Sequence, residues 1–210
     1  MKLSALLIAI EVGGTLAFAM SGLVEATRKR MDIVGVFSVA FVSAFGGGTV
    51  RDVLLDRRPL FWIQNEAYLW LVLALVVSAP LWLRTLRHKL GGWLMELADA
   101  FGLGLFAISG TTIAMAAGMP PLVAILMGAI TAVVGGVSRD VLCNEIPKVY
   151  RGHQPYTLCA LAGCSVLLVM HALGVGEELS SLAGIATATG SRLLSVALDL
   201  RLPSWLSTSN

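Results

Sequence analysis

Apolar residues run in long blocks along nearly the whole chain, broken only by short polar stretches. A helix needs about 17 to 25 such residues to cross roughly 30 Å of hydrocarbon. On that measure the blocks predict seven spans, near 4–26, 33–55, 67–83, 93–117, 121–143, 155–173 and 180–199, with ends good to about four residues. The polar interruptions recur. Phe-Ala-Met-Ser-Gly at Phe18 to Gly22 returns 88 residues later as Phe-Ala-Ile-Ser-Gly at Phe106 to Gly110. At the same offset Gly47-Gly48-Thr49-Val50-Arg51-Asp52-Val53-Leu54 falls on Gly135-Gly136-Val137-Ser138-Arg139-Asp140-Val141-Leu142, Pro59 on Pro147 and Tyr68 on Tyr156.

The chain is therefore an internal duplication. Each copy holds three spans, and an odd number reverses the direction in which the next copy enters the membrane. The predicted fold is an all-α membrane protein of seven transmembrane helices. Two inverted three-helix repeats, about 4–88 and 92–176, are followed by an extra helix at about 180–199, and 1–210 forms a single integral membrane domain.

Composition agrees with this pattern: 57% of residues are hydrophobic, 13% are charged and mean hydropathy is +0.83, far outside the soluble range. The spans leave no room for a separate soluble domain. Residues 1–22 carry features of a signal peptide, with Lys2, an apolar core and the small Ala17 and Ala19. The matching copy at 99–110 lies mid-chain, and Glu11 interrupts the first core where the second has Asp99, so the first segment is assigned to the fold.

Basic residues set the orientation. Arg28, Lys29, Arg30, Arg84, Arg87, Lys89, Lys148, Arg151 and Arg201 fall on one face, and Lys2, Arg57 and Arg58 on the other. The first face is expected in the cytoplasm, which puts the N-terminus outside and the C-terminus inside, in a bacterial-type inner membrane. The net charge of +2 reflects this topology, and basic residues split among short loops give no nucleic-acid signal. Trp62, Tyr68, Trp93 and Trp205 stand near span ends, where interfacial aromatics are expected. Cys143, Cys159 and Cys164 have no metal-ligand spacing and read as packing residues, and His88, His153 and His171 form no metal or triad pattern.

The second span is apolar from Ile33 to Phe45 and then meets Gly46, Gly47 and Gly48; the fifth carries Gly135 and Gly136 at the matching place. Each glycine costs about 1 kcal/mol against alanine in a helix. One reading is close helix crossing at small residues. The other is a break in helices two and five near the midplane, where freed carbonyls and half-helix ends attract a cation. The two readings are compatible.

Arg51-Asp52 and Arg139-Asp140 follow the glycines by one turn. Charges at such depth rarely face lipid, and neighbours on a helix point about 100° apart. A crossed arrangement is expected, with Arg51 meeting Asp140 and Arg139 meeting Asp52, serving either as a clamp or as part of an ion pathway. Glu11 and Asp99 are isolated intramembrane acids, each a cation-attracting group or a hydrogen-bonded interface group. Ser21 with Ser109, and Ser43 with Thr131, complete the matched polar set, with hydroxyls expected to bond to their own helix. Arg192 has no counterpart in the repeats and either snorkels or reaches into the bundle. Ala183, Gly184, Ala186, Ala188 and Gly190 predict tight packing of the last span.

These paired motifs, with Met31-Asp32 and the Asn144-Glu145-Ile146-Pro147 turn, resemble bacterial members of the TRIC family, the trimeric intracellular cation channels. The resemblance covers about residues 5–205. It implies seven spans, a homotrimer and a potassium-permeable pore in each subunit, shaped by Gly46, Gly47, Gly48, Gly135 and Gly136 on spans two and five. Animal members have Lys-Glu-Val where this chain has Arg139-Asp140-Val141. Related bacterial proteins are also described as glycine transporters or UPF0126-type membrane proteins.

Two function classes follow. The first is a passive channel for monovalent cations, preferring potassium, with the ion pathway along Ser43, Gly46 to Gly48, Arg51, Asp52, Thr131, Gly135, Gly136, Arg139 and Asp140. Nothing matches the carbonyl-lined filter of selective potassium channels, so modest selectivity is expected. The second is a secondary transporter of a small amino acid such as glycine, with Asp52 or Asp140 receiving the ammonium. No nucleophile, base and orienting group stand at plausible spacing for an enzyme. No cofactor is expected beyond permeant K+ or Na+ near the glycines and bound membrane lipid.

Overall fold

In hydrocarbon every backbone N–H and C=O must be satisfied within the segment that carries it, so long apolar blocks become helices. The computed structural model describes residues 5–86, 91–150 and 155–201. Its helices are α1 (Ala5–Arg28), α2 (Ile33–Leu54), α3 (Phe61–Gln64), α4 (Ala67–Leu86), α5 (Gly91–Ala116), α6 (Pro121–Leu142), α7 (Tyr156–Ala172) and α8 (Glu177–Ala197). By length and composition α1, α2, α5 and α6 suffice to cross a membrane, while the apolar stretches Ala67–Leu81 and Tyr156–Ala172 are shorter. The four-residue α3 is absent from the sequence reading. Lys2, Arg87, His88, Lys89, Arg151, His153 and Trp205 lie outside the described residues, as does the side chain of Arg84.

Contacts repeat between the two copies. A Cβ on Gly14 would stand 2.7 Å from the Phe106 ring, and one on Gly102 would stand 2.8 Å from the Phe18 ring. These two contacts exchange under the offset of 88 and show α1 running antiparallel to α5. Likewise a Cβ on Gly47 would fall on the Thr131 carbonyl oxygen, and one on Gly135 would stand 2.6 Å from the Ser43 carbonyl oxygen. The glycine-bearing helices α2 and α6 therefore cross antiparallel at backbone contact.

The helices are not broken there. α2 and α6 are continuous through Gly46–Gly48 and Gly135–Gly136, which corrects the expected discontinuity. The penalty of about 1 kcal/mol per glycine is smaller than the cost of several kcal/mol for each backbone group left unsatisfied in hydrocarbon. Close approach explains Gly47 and Gly135 at the crossing and Gly48 beside the Phe61 ring, and unwound carbonyls are no part of the site.

Large apolar side chains face outward, and within an otherwise apolar interior several charged side chains are buried. Leu81, Leu122 and Ile33 are 82%, 69% and 68% exposed, while Arg51, Arg139 and Arg192 are the bulkiest fully buried side chains. That is the inverse of a soluble protein, and this chain is a membrane protein. Aromatic rings of Phe41, Phe45, Phe61, Trp62 and Tyr68 pack in edge and tilted contacts around the α2–α3 corner. Tyr68 is buried at that corner instead of facing an interface, whereas Trp93 is 47% exposed. Cys143, Cys159 and Cys164 are buried and free. Of the small residues in α8, Gly184 and Ala188 pack against Gly163 of α7, whereas Ala186 and Gly190 are exposed.

Turn chemistry fixes the ends. Asp32 is extended and its Oδ1 accepts from the Gly35 N–H at 2.8 Å, capping α2. We expect Asp32→Ala to cost about 1 kcal/mol, read as a lower unfolding midpoint in detergent; an unchanged midpoint would make the cap redundant. Lys29, in the α1–α2 turn, donates to Glu145 in the turn after α6, and that carboxylate holds the ammonium above the ordinary lysine value. Its pKa is raised by folding, so on the lysine side this exposed contact is present at neutral pH and is lost as pH climbs through the raised value.

Candidate functional site

Two buried polar clusters flank the α2–α6 crossing. In the first, Arg51 Nε donates to Asp52 Oδ1 at 2.8 Å, and Nη1 donates to Glu11 Oε1 at 2.8 Å and to Ser109 Oγ at 3.1 Å. The Ser109 hydroxyl donates to Glu11 Oε1 at 3.3 Å. The second cluster repeats this: Arg139 Nε donates to Asp140 Oδ1 at 2.9 Å, and Nη1 donates to Asp99 Oδ1 at 2.6 Å and to Ser21 Oγ. Every partner corresponds at the offset of 88.

The expected crossed pairs, Arg51 with Asp140 and Arg139 with Asp52, are not formed. Ser43 packs opposite Gly135 and Gly47 opposite Thr131. Continuing that antiparallel register sets Arg51 beside residue 127, some 13 residues short of Asp140, or about 20 Å along α6. Each arginine instead uses the flat guanidinium fork to hold two carboxylates from within its own repeat. Its long stem folds sideways, so the neighbouring Asp lies within reach of Nε despite the 100° step.

The repeats still exchange one partner, the serine. Because α1 and α5 run antiparallel with Gly14 beside Phe106, Glu11 lies beside Ser109 and Ser21 beside Asp99. Ser21 and Ser109 therefore bind the other helix's cluster, correcting the expectation that they bond to their own helix. Thr131 does bond to its own helix, its hydroxyl donating to the Met127 carbonyl at 2.6 Å. The Ser43 carbonyl faces Gly135 at the crossing, while its hydroxyl is buried against Gly22 of α1 with no hydrogen-bond partner. Gly46 looks towards Ser138 at 3.6 Å, with room for a methyl group.

The far oxygen of each motif carboxylate is held by backbone. Asp52 Oδ2 accepts from the Phe61 N–H at 2.8 Å, and Asp140 Oδ2 accepts from the Lys148 N–H at 2.8 Å. Arg57 Nη1 also donates to Asp52 Oδ1 at 3.2 Å. These donors escaped the sequence reading because main-chain N–H groups leave no trace in residue type. The nearby Pro59 and Pro147 were the available signal for turns at those points.

A cavity of about 250 Å³ opens against the first cluster, lined by Ile8, Glu11, Arg57, Asn65 and Tyr68 among others. The corresponding place in the second copy differs. There the Arg192 guanidinium of α8 lies 4.8 Å over the Tyr156 ring, and its Nη2 is 3.3 Å from Glu96 Oε2. Lys148 Nζ pairs with the same Glu96. Arg192 thus reaches into the bundle. Among the described residues, no group of three His, Cys, Asp or Glu side chains converges as a metal site.

A family model described as glycine transporter matches residues 8–84 and again residues 96–172. The chain is 36% identical over 205 residues to a UPF0126 membrane protein of Vibrio cholerae, covering 98% of this chain and 85% of that protein. It is 36% identical over 202 residues to the UPF0126 inner membrane protein YadS of Escherichia coli K12, covering 96% and 97%. Among solved structures it resembles the TRIC trimeric intracellular cation channel orthologue from Rhodobacter sphaeroides, with TM-score 0.86, 34% identity and coverage of 94% and 100%. A prokaryotic TRIC channel in 0.5 M KCl gives TM-score 0.86, 28% identity and coverage of 94% and 98%.

Proposed function

We propose, from the premise that this chain belongs to the TRIC family, that it is a passive monovalent-cation channel with a potassium preference and a pore inside each protomer. The observation that carries this reading is the buried polar seam within a single chain. Two clusters of buried acids and arginines stand on either side of a backbone-tight crossing, and beside it the Ser43 hydroxyl is buried against Gly22 of α1 without a hydrogen-bond partner. A structural bundle would bury apolar side chains at that point at lower cost.

On this reading seven helices span the membrane as two inverted repeats plus α8, with the N-terminus outside and the C-terminus in the cytoplasm. The route runs from the cavity beside Glu11, past Ser43, Thr131 and the glycines, to the second cluster around Asp99 and Arg139. Permeant potassium or sodium and surrounding lipid are its ligands, and no chemistry on a substrate is involved. The exposed apolar faces suit lipid and, in a homotrimer like that of the solved relative, neighbouring copies.

Recording from the purified protein in planar bilayers tests this. Unitary currents in potassium salts, with reversal potentials following the cation gradient, are expected; silent bilayers holding folded protein would overturn the reading.

One observation favours a second reading, transport of a small amino acid. Glu11 and Arg57 both line the cavity, opposite charges suited to a zwitterion, and the matched family model is described as glycine transporter. Saturable uptake of labelled glycine into liposomes without unitary currents would select it.

A further inference from the structure

The two copies differ most where α8 intrudes. At Tyr68 the cavity is open, whereas at the corresponding Tyr156 a guanidinium covers the ring. Glu96 occupies the position that Ile8 holds in the first copy, 88 residues earlier, so the second copy has gained an acid at the same place. Two cations face that acid: Lys148 from the turn after α6, and Arg192 from α8, a long helix without a counterpart in the duplication.

Charge makes the arrangement specific. The second cluster contains three acids, Glu96, Asp99 and Asp140, and three bases, Arg139, Lys148 and Arg192. Glu96 is partly buried and is shared by Lys148 and Arg192, so removing Arg192 leaves the cluster one negative charge in excess beside an aromatic face. A partly buried carboxylate with an excess of negative charge around it and a ring face together are what a weakly hydrated monovalent cation binds.

We propose that the pocket over Tyr156 beside Glu96 is a monovalent-cation site, and that Arg192 is its tethered occupant, closing the second half of the passage while the first stands open. Movement of α8 exchanges the guanidinium for a permeant ion. This rests on the channel reading for its purpose, but the ion site itself is testable without conduction.

Thallium, a heavy analogue of potassium visible by anomalous scattering, is the probe. In crystals of Arg192→Met, which keeps side-chain length without charge, a thallium ion is expected between Glu96 and the Tyr156 ring, and it is expected to be lost in Arg192→Met with Glu96→Gln. In the natural chain the same place is expected to hold no thallium, and that arm stands even if Arg192→Met does not fold. Folded Arg192→Met without the ion overturns the site. Thallium at Glu96 in the natural chain with Arg192 still seated overturns the plug. Potassium flux measured in parallel separates the two ideas: a thallium site in Arg192→Met with no flux in either protein would sink the channel reading and leave the site standing. Flux in the natural chain that Arg192→Met leaves unchanged would remove the gate.

Discussion

Gly47→Ala should collapse the α2–α6 interface, whereas Gly46→Ala, one residue away, should be harmless. The contrast comes from what each new methyl group meets. At Gly47 it lands on the Thr131 carbonyl oxygen, an atom of a continuous helix that has no rotamer in which to escape. At Gly46 the nearest atom is Ser138 Oγ at 3.6 Å, an ordinary contact. Overpacking typically costs about 1–3 kcal/mol, and more where the obstruction is backbone. Against a total stability of about 5–15 kcal/mol, this puts Gly47→Ala near loss of folded protein. Gly46→Ala gains about 1 kcal/mol of helix propensity. Gly135→Ala, whose methyl would stand 2.6 Å from the Ser43 carbonyl oxygen, should behave like Gly47→Ala. Unfolding midpoints of the purified variants in detergent decide the matter, and equal stability of Gly46→Ala and Gly47→Ala would refute the crossing as described.

The second large effect is expected at the arginines. Arg51→Met leaves Glu11 and Asp52 buried without their shared counter-charge, and removing one partner of a buried ion pair costs about 3–5 kcal/mol. Most of that cost belongs to the orphaned carboxylates, so Arg51→Met combined with Glu11→Gln and Asp52→Asn should recover more than half of it. Arg51→Lys should fall between, since one ammonium cannot reproduce a fork that reaches Asp52 from Nε and Glu11 and Ser109 from Nη1. The same series at Arg139, Asp99 and Asp140 should give the same order. Neutralised triple variants no more stable than the arginine-only variants would show that the arginine stem, and not its charge, supports the bundle.

Much of this site was legible as a set of residues. The offset of 88 already joined Glu11 to Asp99, Ser21 to Ser109, Ser43 to Thr131 and the Arg-Asp pairs to one another. Which of them touch was not legible. The crossed Arg–Asp arrangement failed because it assumed that the two motifs meet where the helices meet. The crossing is centred nearly two turns before each Arg-Asp pair, and antiparallel helices carry residues beyond a crossing away from each other. The expected helix breaks failed for a related reason. Three consecutive glycines look like a disruption along a single helix, yet Gly47 serves a second helix, and Gly48 a ring of α3, that the one-dimensional pattern does not contain.

Arg192 shows the same limit from the other side. No repeat partner marked it, and its neighbours Glu96, Lys148 and Tyr156 lie 96, 44 and 36 residues earlier. The packing of α8 against α7 at Gly163 and against α5 at Gly104 and Ile108 aims it at Tyr156.

By itself the sequence determined the helical membrane class, the duplication and the stock of matched polar residues, because hydrophobic block length and a fixed offset are properties of a chain read in one dimension. Tertiary structure alone decided that the helices stay unbroken, that serine is the partner exchanged between repeats and that one copy is open while the other is filled. Those outcomes depend on the register of antiparallel helices, which is set by where glycine lets two backbones touch.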